Sequence, residues 1–347
     1  MRDKYNTREV RGFSIFEHGI FLKYYIQLNS NNAYYDSFAG SVIEGKKVEF
    51  ETDKDGYIVP SRLYDEADMT YVFMGDSSVE CTFVDKDKRY PFLVGRKIER
   101  KLNRKVNSFN AGVSGADILS MMKVLLNKVF VEHPDVVFVC NTKSELFFLL
   151  SNSEDIYWGA NNNKERVVYS DLVYYKSLGA RIIEAMDIVL DGRIKPKFKH
   201  QNKTSDRRCF SAEIKRDKAN ILNMYKNDLV AFVQLCVCRN ISPILMTQAN
   251  RYKEKGCIKE YYINNDLKKT GLPYEEYVAL YDECNEIVRA VATDCNVKLI
   301  DLERLLKNEK DLLYDAVHYT DKGSEYVAEL IADLYIKLYY ETDERYI

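Results

Sequence analysis

Residues 70–81 read TYVFMGDSSVEC: an apolar, strand-forming run that stops at Gly75, then a polar turn at Asp76, Ser77 and Ser78. A short run of this kind, ending abruptly in turn residues, predicts a parallel strand buried on both faces. Four further runs have the same character: VNSFNAG (106–112), DVVFVCN (135–141), SPILMTQ (242–248) and VKLIDL (297–302). Between and after them lie helical segments at about 87–103, 115–132, 213–239, 274–295 and 321–340. In the last of these, Tyr326, Val327, Leu330, Ile331, Leu334, Tyr335 and Leu338 recur at steps of three and four and form an apolar stripe, while Glu325, Glu329 and Asp333 face water. Alternating strand and helix predicts an α/β doubly wound, three-layer sandwich. Ligands on such sheets bind beyond the carboxyl ends of the strands.

Two stretches fall outside this rhythm. Residues 1–69 form an N-terminal appendage in which KKVEFETDKDGYIVPSR (46–62) reads as two short strands around an Asp-Gly turn. Residues 150–212 form a long insertion after the third strand, with one helix expected at 174–189 and the basic tract RIKPKFKHQNKTSDRR. An insertion of that length reads either as a solvated loop or as a substrate-facing lid. The remainder, 70–347 with the insertion inside it, reads as the main domain.

The formal net charge of the 347 residues is -2, from 51 basic and 53 acidic side chains, which offers no general attraction for nucleic acid or an anionic membrane. No apolar run reaches the roughly 20 residues of a membrane span. The first residues, interrupted by Glu9, Arg11, Glu17 and His18, lack the pattern of an export signal, so the expected location is the cytoplasm. Eight cysteines occur in apolar contexts such as VFVCN and LCVCRN without CxxC pairs, which predicts reduced core thiols and no metal site.

Three strand ends carry chemistry-bearing residues. After the first, Ser77 is either a nucleophile on a sharp turn or one of three residues able to cap a helix. After the second, NAGVSG offers Gly112 and Gly115, whose backbone can come close to an oxyanion or cradle a phosphate, although neither standard phosphate-loop spacing is present. After the third, the Asn141 carboxamide can donate to an oxyanion or simply close the strand in an Asx turn. Near the end of the chain, Asp315 and His318 lie three apart in YDAVHYTDKG, where a carboxylate can fix the tautomer of a serine-activating imidazole. Of the other histidines, His18 and His200 fall in the appendage and the insertion, and His133 lies at the foot of the third strand.

Gly75-Asp76-Ser77, Gly112, Asn141 and Asp315-x-x-His318 resemble, in type and order, the four motif blocks of the SGNH (GDSL-type) hydrolases over roughly residues 70–340. The resemblance implies a flavodoxin-like sandwich with a five-stranded parallel sheet in the order 2-1-3-4-5. It also implies Ser77 as nucleophile, His318 as general base and acid, and Asp315 as its partner, with an oxyanion hole from the Ser77 and Gly112 N–H groups and the Asn141 side chain. The first block reads GDSS rather than GDSL, and VCNTK stands where GxND is frequent. The implied activity is hydrolysis of a short-chain, acetyl-type ester on a carbohydrate or small molecule, with no cofactor. The flanking FETDKDGYIVPSR is similar to bacterial members that modify surface polysaccharides. An O-acyltransferase would use the same triad, and a catalytically idle glycan-binding protein would keep the fold alone; product analysis separates the first pair and serine-directed labelling the second.

Overall fold

The computed structural model describes residues 15–27, 45–150, 218–254, 256–306 and 311–340. The insertion at 150–212, with its expected helix at 174–189 and its basic tract, lies almost wholly outside the described residues, as do parts of the 1–69 appendage.

Five strands form one parallel sheet: β3 (Met69–Gly75), β4 (Val106–Asn110), β5 (Val136–Cys140), β6 (Ser242–Met246) and β7 (Lys298–Ile300). Their spatial order is β4-β3-β5-β6-β7, which is 2-1-3-4-5 counted along this sheet, and every neighbouring pair is parallel. This is the order the SGNH resemblance implies. It puts the ends of β3, β4 and β5 side by side on one edge of the sheet. β3, β4 and β5 are buried almost throughout, as strands covered on both faces must be.

Helices α2 (Tyr90–Leu102) and α7 (Asp321–Tyr339) cover one face. Val94 and Ile98 of α2 and Val327, Ile331 and Tyr335 of α7 share a core with Tyr71, Phe73 and Phe138. Phe73 and Phe138 are paired across β3 and β5, and their rings stack with centroids 4.3 Å apart and planes 2° from parallel. The opposite face is built by α3 (Ile118–Asn127), α4 (Lys143–Leu150), α5 (Lys218–Val237) and α6 (Tyr274–Asp294), which bury Val124, Leu149, Leu229 and Val288 among others. The Tyr326 side chain departs from the expected stripe: at 42% exposure it faces out, because the buried face of α7 is centred on Val327, Ala328, Ile331, Ala332 and Tyr335.

Helix starts follow local capping. Asp117 caps α3 by accepting from Ser120 N–H at 2.8 Å, and Thr320 caps α7 by accepting from Gly323 N–H at 3.0 Å. α2 begins later than the expected residue 87, with Pro91 in its first turn, and stops at Asn103 with φ +52°. No helix among the described residues is long and apolar enough to cross a membrane.

The N-terminal stretch pairs differently from expectation. The Asp-Gly turn forms, with Asp53 Oδ1 accepting from the N–H groups of Asp55 and Tyr57, both at 2.9 Å. Only its first flank is a strand, however: β2 (Lys47–Glu51) pairs antiparallel with β1 (Lys23–Gln27). The second flank is drawn off to the main sheet, since Ile58 bridges Thr52 only singly and gives its N–H to Asn110 O at 3.0 Å. Arg89 ties this stretch down. Its guanidinium, 1% exposed, donates to Val59 O and Glu49 O at 2.9 Å each and to Cys81 O at 3.3 Å, while lying 5.5 Å from the centre of the Phe50 ring.

Removing that guanidinium would strand three carbonyls and leave a cavity. Arg89→Ala is therefore expected to lower the unfolding free energy by about 3 kcal/mol, read as a lower urea midpoint with an unchanged slope.

Candidate active site

At the end of β3 the chain turns where little space exists. A Cβ on Gly75 would lie 2.1 Å from Cys140 O and 2.4 Å from a methyl of Val79, so only glycine lets β3 and β5 run this close. The next residue, Asp76, is fully buried and takes the capping role: its Oδ1 accepts from Ser78 N–H at 2.9 Å and from Ser78 O–H at 2.8 Å. A short helix, α1 (Ser77–Glu80), follows. Since Asp76 does the capping and Ser78 turns inward to it, the Ser77 hydroxyl is not used by the cap and stands at the half-buried rim.

That hydroxyl meets the loop before α7. His318 Nε2 lies 2.6 Å from Ser77 Oγ, and His318 Nδ1 lies 2.6 Å from Asp315 Oδ2. Asp315 Oδ1 accepts from the backbone N–H groups of Val317 at 2.9 Å and His318 at 2.8 Å, which leaves Oδ2 for the imidazole. The imidazole is further held by the Tyr314 ring, nearly parallel to it at 5.6 Å. Burial alone would raise the Asp315 carboxyl, but the facing His318, Lys143 and the Val317 N–H hold it well below the usual carboxylate range. A carboxylate so held can hold a proton on Nδ1, an arrangement in which Nε2 is able to accept a proton from the serine hydroxyl.

Two cysteines lie close to this turn. Burial pushes the Cys81 thiol up to about 12 and the Cys140 thiol higher still. Both are therefore neutral near neutral pH and poor nucleophiles. Among the described residues no group of three or more His, Cys, Asp or Glu side chains is disposed to hold a metal ion.

The three expected oxyanion donors differ in what they are free to do. Ser77 N–H has no hydrogen-bond partner among the described residues. Gly112 N–H does have one: it donates to Asn110 Oδ1 at 2.9 Å, in a buried corner where a Cβ would lie 2.4 Å from Glu80 N. The glycine that the sequence singled out thus serves close packing of the 110–112 corner against α1. Asn141 stands at the end of β5 as expected, but its Nδ2 donates to Ala116 O at 2.8 Å and lies 3.1 Å from Met121 Sδ, so the carboxamide braces the turn between β4 and α3. In that turn Gly115 is exposed, has φ +76° and an N–H without a partner among the described residues. Gly115 was visible in the sequence as the second glycine of NAGVSG; what distinguishes it from Gly112 is its backbone angle and its open N–H.

Other neighbours carried no sequence signal for this site. His18, set aside as part of the appendage, places Nε2 3.2 Å from Gly112 O and 3.1 Å from Glu80 Oε1. Gln248, after β6, donates from Nε2 to Asp76 and to Ser78 Oγ.

No family model matches the sequence, and no curated protein matches it. Among solved structures, the lipase/acylhydrolase from Enterococcus faecalis aligns over 78% of this chain and 95% of its own, at 15% identity and a TM-score of 0.44. The acetylxylan esterase Axe2 from Geobacillus stearothermophilus aligns over 77% and 94%, at 14% identity and a TM-score of 0.44. The acetyl xylan esterase AlAXEase aligns over 77% and 99%, at 19% identity and a TM-score of 0.41.

The two glycines should respond differently to a methyl group. Gly112→Ala is expected to lose about 1–3 kcal/mol of stability through overpacking. Gly115→Ala should lose about 1 kcal/mol through its φ of +76°. Urea unfolding of the two variants checks the contrast.

Proposed function

We propose that the chain is a serine ester hydrolase in which Ser77 is the nucleophile, His318 the general base and acid, and Asp315 its orienting partner. The observation that carries this reading is the unbroken line Asp315 Oδ2, His318 Nδ1, His318 Nε2, Ser77 Oγ, with both gaps 2.6 Å, formed by residues 241 positions apart in sequence.

The chemistry follows from these roles. Ser77 Oγ attacks the ester carbonyl while His318 Nε2 accepts its proton; the imidazolium is stabilised by Asp315, which remains an anion. The tetrahedral oxyanion is met by the Ser77 N–H and, in our assignment, by the Gly115 N–H. Both are unpaired among the described residues, and both segments are tied to the same strand ends, since Val113 N–H donates to Gly75 O at 3.0 Å and Asn141 holds Ala116 O. Asn141 then contributes by fixing the turn that carries Gly115. Collapse of the intermediate passes the proton from His318 to the departing alcohol and leaves an acyl group on Ser77. A water deprotonated by His318 releases the acid and restores the hydroxyl.

The substrate class we propose is a short-chain, acetyl-type ester carried on a carbohydrate. Support for it comes from the motif resemblance, and it is tested by screening acetylated sugars against short aryl esters.

Ser77→Ala should abolish both ester turnover and covalent labelling by a fluorophosphonate probe. Hydrolysis persisting at the unaltered rate in Ser77→Ala would overturn the mechanism. Asp315→Asn should keep the fold and lower kcat by about 10⁴-fold, because the imidazole is then held in the wrong tautomer; steady-state kinetics on an aryl acetate gives the comparison.

A further inference from the structure

Gln248-Ala249-Asn250-Arg251, which begin one residue past the end of β6, touch both halves of the candidate site. The Gln248 side chain is 1% exposed, and both ends of its amide are fully used. Nε2 donates to Asp76 Oδ1 at 3.1 Å, Asp76 Oδ2 at 3.2 Å and Ser78 Oγ at 2.8 Å. Oε1 accepts from Lys143 N–H at 2.7 Å and from Tyr281 O–H at 2.6 Å. The Gln248 backbone is clamped in turn by Asn285, whose Oδ1 accepts from Gln248 N–H and whose Nδ2 donates to Gln248 O, each at 3.1 Å.

Three residues on, Arg251 grips the other half. Its N–H donates to Ala316 O at 2.9 Å and its Nη1 to Leu313 O at 2.9 Å, so the two carbonyls it holds bracket Asp315. Glu254 keeps the guanidinium in place through Nε at 2.9 Å and Nη2 at 2.6 Å.

The geometry points to the Gln248–Arg251 turn as the positioning element that sets the distance between Ser77 Oγ and His318 Nε2. This inference rests on the triad reading above and adds to it a residue pair that touches neither reacting atom. Residue type at 248 is dictated by what faces it. On one side stands the Asp76 carboxyl with the Ser78 hydroxyl and the Cys140 thiol near them; on the other are a donating N–H and the donating Tyr281 hydroxyl. A neutral amide supplies donors to the first side and an acceptor to the second. A carboxylate at 248 would oppose Asp76, and an apolar side chain would supply neither bond.

The full chain is compared as wild type, Gln248→Met, Gln248→Glu and Arg251→Met. Two quantities are read: the rate of Ser77 phosphonylation by a fluorophosphonate, and kcat and KM on an aryl acetate. Displacement of one partner by about 1 Å lowers rate on the order of 100-fold, so Gln248→Met and Arg251→Met should lose about that factor in kcat and in labelling rate with KM nearly unchanged. Gln248→Glu carries a distinct signature. Its activity relative to wild type should rise as pH falls from about 8 to about 5, because a protonated carboxyl can donate to Asp76 while its carbonyl accepts from Lys143 and Tyr281.

Folded variants with wild-type kcat and labelling rate overturn the proposal. Should the methionine variants fail to fold, Gln248→Glu decides: a ratio to wild type that is flat across that range overturns it, and a ratio that rises on acidification supports it. A wild type that neither labels at Ser77 nor hydrolyses ester removes the triad reading together with this inference. A labelled wild type with unaffected variants removes the positioning role alone.

Discussion

A carboxyl group with no exposure to water must find hydrogen-bond donors inside the protein, and Asp76 is such a group. Its partners come from three strand ends: Ser78 after β3, the Ser144 N–H after β5 at 3.2 Å, and Gln248 after β6. Satisfying this one side chain therefore fixes how those strand ends sit against each other. Ser77, the neighbour of Asp76, is carried into the crevice as a by-product, and its hydroxyl is left for His318 because the capping is already done. Gly75 is the steric side of the same constraint, since any larger residue would push β3 away from the Cys140 carbonyl.

The Asp315–His318 half of the candidate site depends on a second closed loop. Leu313 and Tyr319 bridge, Tyr314 N–H bonds His318 O at 2.9 Å, and Thr320 both caps α7 and returns its N–H to Leu312 O at 2.9 Å. Gly323 lets α7 approach, as a Cβ there would lie 1.9 Å from Leu312 O. Inside this loop Asp315 spends one oxygen on two backbone N–H groups and gives the other to the imidazole. A histidine so restrained loses little freedom when it accepts a proton, which is where preorganisation helps catalysis. Burial likewise keeps the Cys81 and Cys140 thiols neutral.

Strands were legible because burial on both faces leaves almost no polar residue in a run such as DVVFVCN, and α7 because its apolar residues keep the helical period. Less legible was anything decided between segments. Both flanks of the Asp-Gly turn looked like strands, yet β2 found its partner in Lys23–Gln27 and Ile58 went to the edge of the main sheet. Tyr326 counted as part of the stripe although it points outward, since periodicity gives a face only to within a residue. Gly112 and Gly115 are the same letter in NAGVSG; one is squeezed against α1, and the other turns at positive φ. Gln248 and Arg251 had no motif at all, because a positioning side chain is defined by what it touches.

By itself the sequence determined the alternation of strand and helix, the strand ends at which reactive residues stand, and the pairing of Asp315 with His318, which is local and needs only one turn of chain. Tertiary structure alone decided that Asp76 rather than Ser77 caps α1, that the Gly112 N–H is engaged while that of Gly115 has no partner among the described residues, and that Asn141 braces a turn. It also decided that His318 reaches Ser77 across 241 residues. The physical reason is the same in each case: a hydrogen bond is assigned by competition among all donors and acceptors within reach, and reach between distant segments exists only after the sheet has brought its strand ends together.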